Sequence, residues 1–262
     1  MIGDNHSILT ATLVVLVTAV FIYGPKKAIC TIAIMAQDGL SRAMFGKEKV
    51  TSIQSFYDLV DKNMAGEEVG MTSFKGQVLL LVNVASQWGL TKQNYTEFSK
   101  IADEYSDRGL KILAFPCNQF GGQEPVSVQP DWYALEEVVT DHVSHLSNLN
   151  FHPKGTHEEI LSFVDKFEVR DKLTWFEKGD VNGARTREVW SFLKRELPNS
   201  DGTVDIQWNF AKFLVDHEGK AHKRFSPKAS PFTMKEDIEE LLKKAKYKGL
   251  EVKKILPLML GL

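Results

Sequence analysis

Two apolar runs in the first half of the chain are largely continuous rather than alternating. The first is Val78–Val84, in which Asn83 is the one polar residue, and the second is Leu110–Phe115. Runs of this kind are typical of parallel strands that are covered on both faces. Between them, apolar residues recur at the spacing of one helical face, and Gly109 stands where a helix would end. The pattern predicts a strand, a helix and a parallel strand, with the first strand at the centre of a sheet.

Shorter patterns predict the elements on either side of this unit. A hairpin precedes it, because Ser55–Asp61 and Glu67–Gly70 flank the turn residues 63–66. The segment 126–154 has helical spacing but ends in a polar stretch, so we interpret it as an inserted helical element at the surface. Next, a helix is predicted at Glu158–Phe167, a short strand near Asp180 and a helix at Thr186–Leu197. A hairpin of Phe213–Asp216 with Ala221–Phe225 follows, and the last element is an amphipathic helix at Lys235–Lys244.

The apolar run Ile8–Tyr23 has the character of a membrane-insertion signal. It is a little shorter than the roughly 20 residues of a full span, a mismatch that a bilayer can absorb. Lys26 and Lys27 follow it, whereas only His6 and the amino terminus could be positive before it, so a cytosol-facing main domain is favoured. We expect a single N-terminal span in an endomembrane or organelle, and a cleaved leader is the alternative.

Charge and cysteine content argue against nucleic-acid binding, a disulfide framework and a metal site. Among 262 residues, 43% are hydrophobic and 25% are charged, which suits one main globular domain. The formal net charge is -2 and charges of both signs are interspersed, so nucleic acid is not expected as a partner. Cys30 and Cys117 lie far apart in different surroundings, which suggests neither a disulfide framework nor a metal site.

Three stretches, taken in order, resemble the glutathione peroxidase family: Val82–Thr91, Phe115–Pro125 and Trp208–Phe210. Two further stretches, Asp180–Gly183 and Lys212–Asp216, extend the similarity. Each stretch alone is weak evidence, but their order and separation make coincidence hard to accept. The resemblance implies an α/β thioredoxin fold.

The resemblance covers about Ser55–Pro231 and sets the predicted domain organisation. Residues 1–50 are expected to form the anchor or leader with its linker. Residues 51–246 are expected to form the thioredoxin-fold domain, with an N-terminal β-hairpin and the inserted helical segment. Residues 247–262 are expected to form a C-terminal tail.

By resemblance, Trp88 occupies the peroxidatic position, where the family has selenocysteine or cysteine just after a strand and at the start of a helix. A helix N-terminus carries partial positive charge, which keeps such a nucleophile deprotonated. Gln123, Trp208 and Asn209 match the amide and indole donors that surround the nucleophile in the family.

An indole has neither an ionisable proton in the useful range nor a nucleophilic lone pair, so Trp88 itself cannot attack a peroxide. Two interpretations follow. In one, the chain is a selenoprotein whose UGA codon, which some genetic codes read as tryptophan, specifies selenocysteine. In the other, the chain is a catalytically inactive binding or sensing scaffold. Cys117 is interpreted as a buried apolar filler rather than a substitute nucleophile.

The reductant implied by the resemblance is glutathione. Some cysteine-dependent relatives carry a resolving cysteine that would fall within Phe163–Phe167, but no cysteine occurs there. An external thiol is therefore expected as co-substrate, with no bound cofactor and no metal. Lys92 and Lys212 are candidate contacts for its carboxylates, with solvated surface lysines as the alternative. The family's basic residue two positions after the peroxidatic one is Leu90 here.

The predicted function is that of a membrane-anchored, glutathione-dependent peroxidase in the oxidative-stress response. Its predicted substrates are hydrogen peroxide and organic or lipid hydroperoxides. The short loop between Leu197 and Asp205 resembles the monomeric phospholipid-hydroperoxide type, so a monomer is expected.

Overall fold

The computed structural model describes residues 46–124 and 157–246. The predicted N-terminal span at Ile8–Tyr23, the predicted insertion at 126–154 and the predicted tail at 247–262 lie outside these residues. Within the two described ranges, no helix combines the length and the apolar character needed to cross a bilayer.

The described residues form seven strands, four helices and several short 3-10 turns. The strands are β1 (Val60–Lys62), β2 (Glu68–Gly70), β3 (Val78–Val84), β4 (Leu110–Pro116), β5 (Thr174–Trp175), β6 (Lys212–Val215) and β7 (Ala221–Phe225). The helices are α1 (Thr91–Tyr105), α2 (His157–Val164), α3 (Glu188–Glu196) and α4 (residues 235–246). The 3-10 turns lie at Phe56–Asp58, Met71–Phe74, Ser106–Arg108, Asp165–Phe167 and Pro231–Met234.

The central element of the domain is a five-stranded sheet with the strand order β5-β4-β3-β6-β7. Strand β3 pairs parallel with β4 and antiparallel with β6, and β4 pairs parallel with β5. The outer pair β6 and β7 is antiparallel, and β1 with β2 forms a separate hairpin. This is the predicted α/β thioredoxin fold preceded by the predicted hairpin.

Strand β3 lies at the centre of the sheet, as its continuous apolar pattern predicts. All its residues are buried, and alternate side chains enter two hydrophobic cores on opposite faces. Leu80 packs into the core formed with α1 and α4, whereas Leu81 packs into the core formed with α3. The strand is therefore shielded from water on both faces.

Helix α1 and its exit also agree with the sequence pattern. Its predicted inward face is buried throughout: Tyr95, Phe98, Ile101, Ala102 and Tyr105. The chain then turns into β4 through Gly109, whose φ of 103° lies in the left-handed region that favours glycine.

The strand predicted near Asp180 is wrong, because the short strand β5 occupies Thr174–Trp175 instead. Beyond β5, the backbone N–H groups of Val181 and Asn182 donate to the side-chain oxygen of Gln119, at 2.8 and 3.0 Å, rather than to a neighbouring strand. The segment is consequently a loop held by a side chain. The other predicted helices and the hairpin of β6 and β7 are confirmed to within a few residues at their ends.

Burial of β3 on both faces predicts the effect of truncating its side chains. Leu80→Ala and Leu81→Ala should each lower the free energy of unfolding by about 2–5 kcal/mol, because each leaves a cavity in a closed core. Denaturant titration measures both values. Val60→Ala on β1, where the native side chain is 51% exposed, is the control and should change stability by less than about 0.5 kcal/mol. A small effect for either leucine would show that one face of β3 is open.

Candidate active site

Trp88 lies in the turn that joins β3 to α1, three residues before the helix begins. Its N–H donates to Oγ1 of Thr91 at 3.0 Å, and its carbonyl accepts the N–H of Thr91 at 3.0 Å. The Thr91 hydroxyl donates in turn to the carbonyl of Ala85 at 2.8 Å. These bonds hold position 88 beside the helix N-terminus, where partial positive charge stabilises an anion.

The Trp88 indole is half-buried and lies on the ring of Phe210, with centroids 5.6 Å apart and planes inclined by 20°. The Trp208 ring packs against a different aromatic side chain, Phe120, at 5.8 Å between centroids. The indole is thus accommodated by a stacked aromatic pair.

Gln123 and Asn209, predicted to share a site, are directly hydrogen-bonded. Asn209 is fully buried and its Nδ2 donates to Oε1 of Gln123 at 2.8 Å. Asn209 Oδ1 is buried without a hydrogen-bond partner among the described residues. The carbonyl of Gln123 accepts the N–H of Gln87 at 2.9 Å, which places the pair beside position 88. The structure therefore brings Gln123 and Asn209 together next to Trp88.

Trp208 is the exposed member of the predicted set, with 38% of its surface accessible. Its carbonyl accepts Nδ2 of Asn83 at 3.2 Å. Asn83 also receives the N–H of Phe210 on its carbonyl at 2.7 Å and the N–H of Ala211 on Oδ1 at 2.8 Å. Sequence reasoning missed this role of Asn83, although its position as the one polar residue in an apolar strand was the available signal.

Glu124 is a second residue that sequence reasoning missed. It is 1% exposed, its carboxylate accepts both the N–H and the hydroxyl of Ser86, and its own N–H donates to Oδ1 of Asn118 at 3.0 Å. Burial raises the pKa of Glu124 to about 7, although the bonds from Ser86 and the charge of Lys178 act in the opposite direction. Together with the bond between Gln87 and Gln123, it joins the loop after β4 to the turn after β3. Its place next to Gln123 in the motif was the signal.

The two candidate glutathione contacts are placed very differently. Lys92 is exposed in the first turn of α1. Lys212 is fully buried on β6, and its ammonium donates to the carbonyls of Pro227 at 3.1 Å and Ala229 at 2.7 Å. Burial lowers the pKa of Lys212 to about 7, which Glu97 partly counters. The burial of Lys212 therefore does not support it as a substrate contact or a solvated surface lysine, because its side chain lies inside the protein and its Nζ donates to backbone carbonyls.

Cys117 is buried, and burial raises the pKa of its thiol to about 12. Since the thiolate is the nucleophile, this thiol is not activated. The residues where some relatives carry a resolving cysteine pack instead against Tyr95, with ring centroids at 6.4 Å for Phe163 and 5.5 Å for Phe167. Neither position supplies a sulfur to the site.

A family model described as glutathione peroxidase matches residues 56–150. The chain is 41% identical over 190 residues to a "Probable phospholipid hydroperoxide glutathione peroxidase" of Nicotiana sylvestris, covering 72% of this chain and 94% of that one. It is 39% identical over 204 residues to "Probable phospholipid hydroperoxide glutathione peroxidase 6, mitochondrial" of Arabidopsis thaliana, covering 78% and 74%. The crystal structure of "Trgpx in apo form" matches with a TM-score of 0.49 and 28% identity, covering 73% of this chain and 97% of that one.

The raised pKa of Glu124 predicts a pH-dependent contribution to stability. The folded protein binds this proton up to about pH 7, whereas an ordinary glutamate loses it near pH 4.5, so the free energy of unfolding should fall as pH rises through that window. Glu124→Gln should remove this component, measured by denaturant titration at several pH values between 4.5 and 8. Glu68→Gln, on the exposed hairpin, is the control and should leave the pH profile unchanged. Identical profiles for native protein and Glu124→Gln would refute the assignment.

Proposed function

Because the chain belongs to the glutathione peroxidase family and is an enzyme of that type, we propose that it reduces hydroperoxides at position 88. Glutathione is the proposed electron donor. The observation that carries this proposal is the 2.8 Å hydrogen bond between Asn209 and Gln123, held beside that position. Buried amides are costly unless they are used, and Oδ1 of Asn209 still lacks a partner within the described part of the chain. An open acceptor at this place suits the hydroxyl group of a hydroperoxide.

We infer further that native position 88 is selenocysteine, encoded by UGA. The turn after β3 retains what an anionic nucleophile needs: the N-terminus of α1 and the neighbouring amide pair. Selenocysteine is far smaller than tryptophan, and its selenol would ionise at physiological pH beside a helix N-terminus. With this residue, Gln123, Trp208 and Asn209 complete the donor set.

The proposed reaction has three steps. The selenolate attacks the terminal peroxide oxygen, the O–O bond breaks, and the released alkoxide takes a proton to become an alcohol, while selenium becomes a selenenic acid. One glutathione condenses with it, forming a selenium–sulfur bond and releasing water. A second glutathione thiolate attacks that sulfur, releasing glutathione disulfide and restoring the selenolate. Donors from Gln123, Trp208 and Asn209 stabilise the charge on selenium and on the departing oxygen.

An external thiol is required because Cys117 is buried with a raised pKa and the residues around α2 supply no sulfur. Lys92, exposed in the first turn of α1, is the proposed contact for a glutathione carboxylate. Lys212 is left out of this proposal, because its side chain is buried and donates to two backbone carbonyls.

For the substrate we propose lipid as well as small hydroperoxides, acted on by a monomer close to a membrane. The names of the two curated relatives specify phospholipid hydroperoxide, and one specifies mitochondria. An anchor at Ile8–Tyr23 would hold the thioredoxin-fold domain near oxidised lipid in an organelle or endomembrane. Measured reduction of hydrogen peroxide without reduction of phospholipid hydroperoxide would count against the lipid part of this proposal.

A second candidate function is a binding or sensing scaffold without catalysis. It is favoured by the stacked contact of Trp88 with Phe210, since an indole that fits its surroundings can be a genuine residue. In this alternative, the segment 126–154 would carry the binding surface.

The identity of position 88 separates the two candidates directly. Trypsin should release the peptide Gly76–Lys92 from protein purified from its own cells. We expect its mass to show selenium, with the corresponding UGA codon in the gene. A tryptophan mass for that peptide would end the selenocysteine proposal and leave the scaffold.

Restoring a chalcogen at position 88 should restore chemistry. Trp88→Cys should consume hydroperoxide in a glutathione-coupled assay, whereas the chain with Trp88 and a Trp88→Ser control should not. Adding Gln123→Leu to Trp88→Cys should lower kcat/KM by about 10²-fold, the usual effect of losing one stabilising donor. Thermal unfolding checks that each variant is folded. Inactivity of a folded Trp88→Cys protein would contradict the proposed donor arrangement.

A further inference from the structure

The segment 46–51, which precedes the hairpin, is bound to α3 and to the loop before it. The N–H of Lys49 donates to the carbonyl of Gly183 at 3.1 Å, and the N–H of Gly183 donates to Oε2 of Glu48 at 2.6 Å. The hydroxyl of Ser191 on α3 donates to the carbonyl of Lys49 at 3.1 Å. This segment is therefore part of the folded domain.

The carboxylate of Glu48 in this segment pairs with a buried ammonium group. Lys194 on α3 is 1% exposed, and its Nζ donates to Oε1 of Glu48 at 2.6 Å, to the carbonyl of Val181 at 2.6 Å and to Oδ1 of Asn182 at 3.1 Å. Burial lowers the pKa of Lys194, and Glu48 counters that effect. A buried cation needs such a partner to remain charged.

Asn182 connects this ammonium to two loops. Its backbone is held by Gln119, through an N–H bond to Oε1 at 3.0 Å and a carbonyl bond from Nε2 at 2.9 Å. Its side chain bonds to both backbone groups of Ile206 at 2.8 Å. Gln119 lies four residues before Gln123, and Ile206 lies two residues before Trp208. The two loops that carry the donor residues thus meet at one residue, Asn182, which Gln119 holds by its backbone and Ile206 by its side chain.

We propose that Glu48 is a positioning residue of the active site, acting through Lys194 and Asn182. Its carboxylate fixes the ammonium, and the ammonium orients the side-chain amide of Asn182 towards Ile206. Because Gln119 holds the backbone of the same residue, Asn182 sets the spacing between the Gln123 loop and the Trp208–Asn209 loop. The relevance to catalysis rests on the proposed function, whereas the structural coupling does not. Other charges near Lys194 are those of Asp205 and Arg224, which oppose each other in their effect on its pKa.

Hydrogen exchange tests the coupling in the chain with Trp88, independently of activity. Glu48→Gln should speed amide exchange by about tenfold at Val181, Asn182 and Ile206 and leave the amides of β3 unchanged, since only a local opening is facilitated. The control is Lys49→Ala on the same segment. It breaks a half-exposed 2.7 Å ion pair with Glu188 and should leave the exchange of both loops unchanged.

The route through the ammonium predicts non-additivity. In a Lys194→Met background, Glu48→Gln should produce no further increase in loop exchange, because the group it acts on is gone. Additive effects would overturn the route. Unchanged loops in Glu48→Gln, or equal acceleration in β3, would overturn the proposal, the latter by revealing general destabilisation.

Kinetics link the coupling to catalysis. In the Trp88→Cys background, Glu48→Gln should lower kcat by about tenfold and leave KM for glutathione unchanged. The reason is that the Gln123, Trp208 and Asn209 donors are displaced, whereas the protein surface that binds glutathione is unaltered. Lys49→Ala should leave both constants unchanged. Loosened loops with unaltered kcat would overturn the positioning role. If Glu48→Gln speeds exchange in the loops but the Trp88→Cys protein is inactive, the proposed function is contradicted and the structural coupling still stands.

Discussion

The candidate site depends on hydrogen bonds from side chains buried at the end of the central strand. Asn83 stands in a strand sealed on both faces, where an unpaired amide would be costly. Its carbonyl and amide bond to the backbone at Trp208, Phe210 and Ala211. These bonds hold Phe210 in a left-handed conformation with φ of 61°, which costs a non-glycine residue energy unless its surroundings impose it. The orientation of the Trp208–Asn209 loop is therefore fixed by the hydrogen bonds of Asn83 on β3.

The same principle recurs around the site. Glu124 bonds to Ser86, Asn209 bonds to Gln123, and Asn182 bonds to Ile206. Each bond joins segments that are distant in sequence, and each involves a group that is at most 2% exposed. Loops at the end of a sheet have no ladder to fix them, so buried polar side chains replace it. This rigid frame explains how donor groups could be held in place before any substrate binds.

Tryptophan at position 88 cannot perform the chemistry for which the surrounding turn is suited. The helix N-terminus beside it suits a small anion, yet an indole occupies the position and stacks on Phe210. The disagreement is chemical rather than structural, because the turn from Ala85 to Thr91 keeps its hydrogen bonds.

The sequence by itself determined the order of elements, the burial of β3, the inward face of α1 and the grouping of Gln123 with Asn209 beside position 88. The first three follow from the period of apolar residues, which is a local property of a chain, whereas the grouping of Gln123 with Asn209 was implied by the resemblance to the glutathione peroxidase family. Only the tertiary structure decided that Lys212 is internal, that Glu124 holds Ser86, and that Glu48 reaches the loops through Lys194 and Asn182. Charged residues read as surface groups in a sequence, and they become internal only where distant segments bring acceptors to them, which no local pattern records.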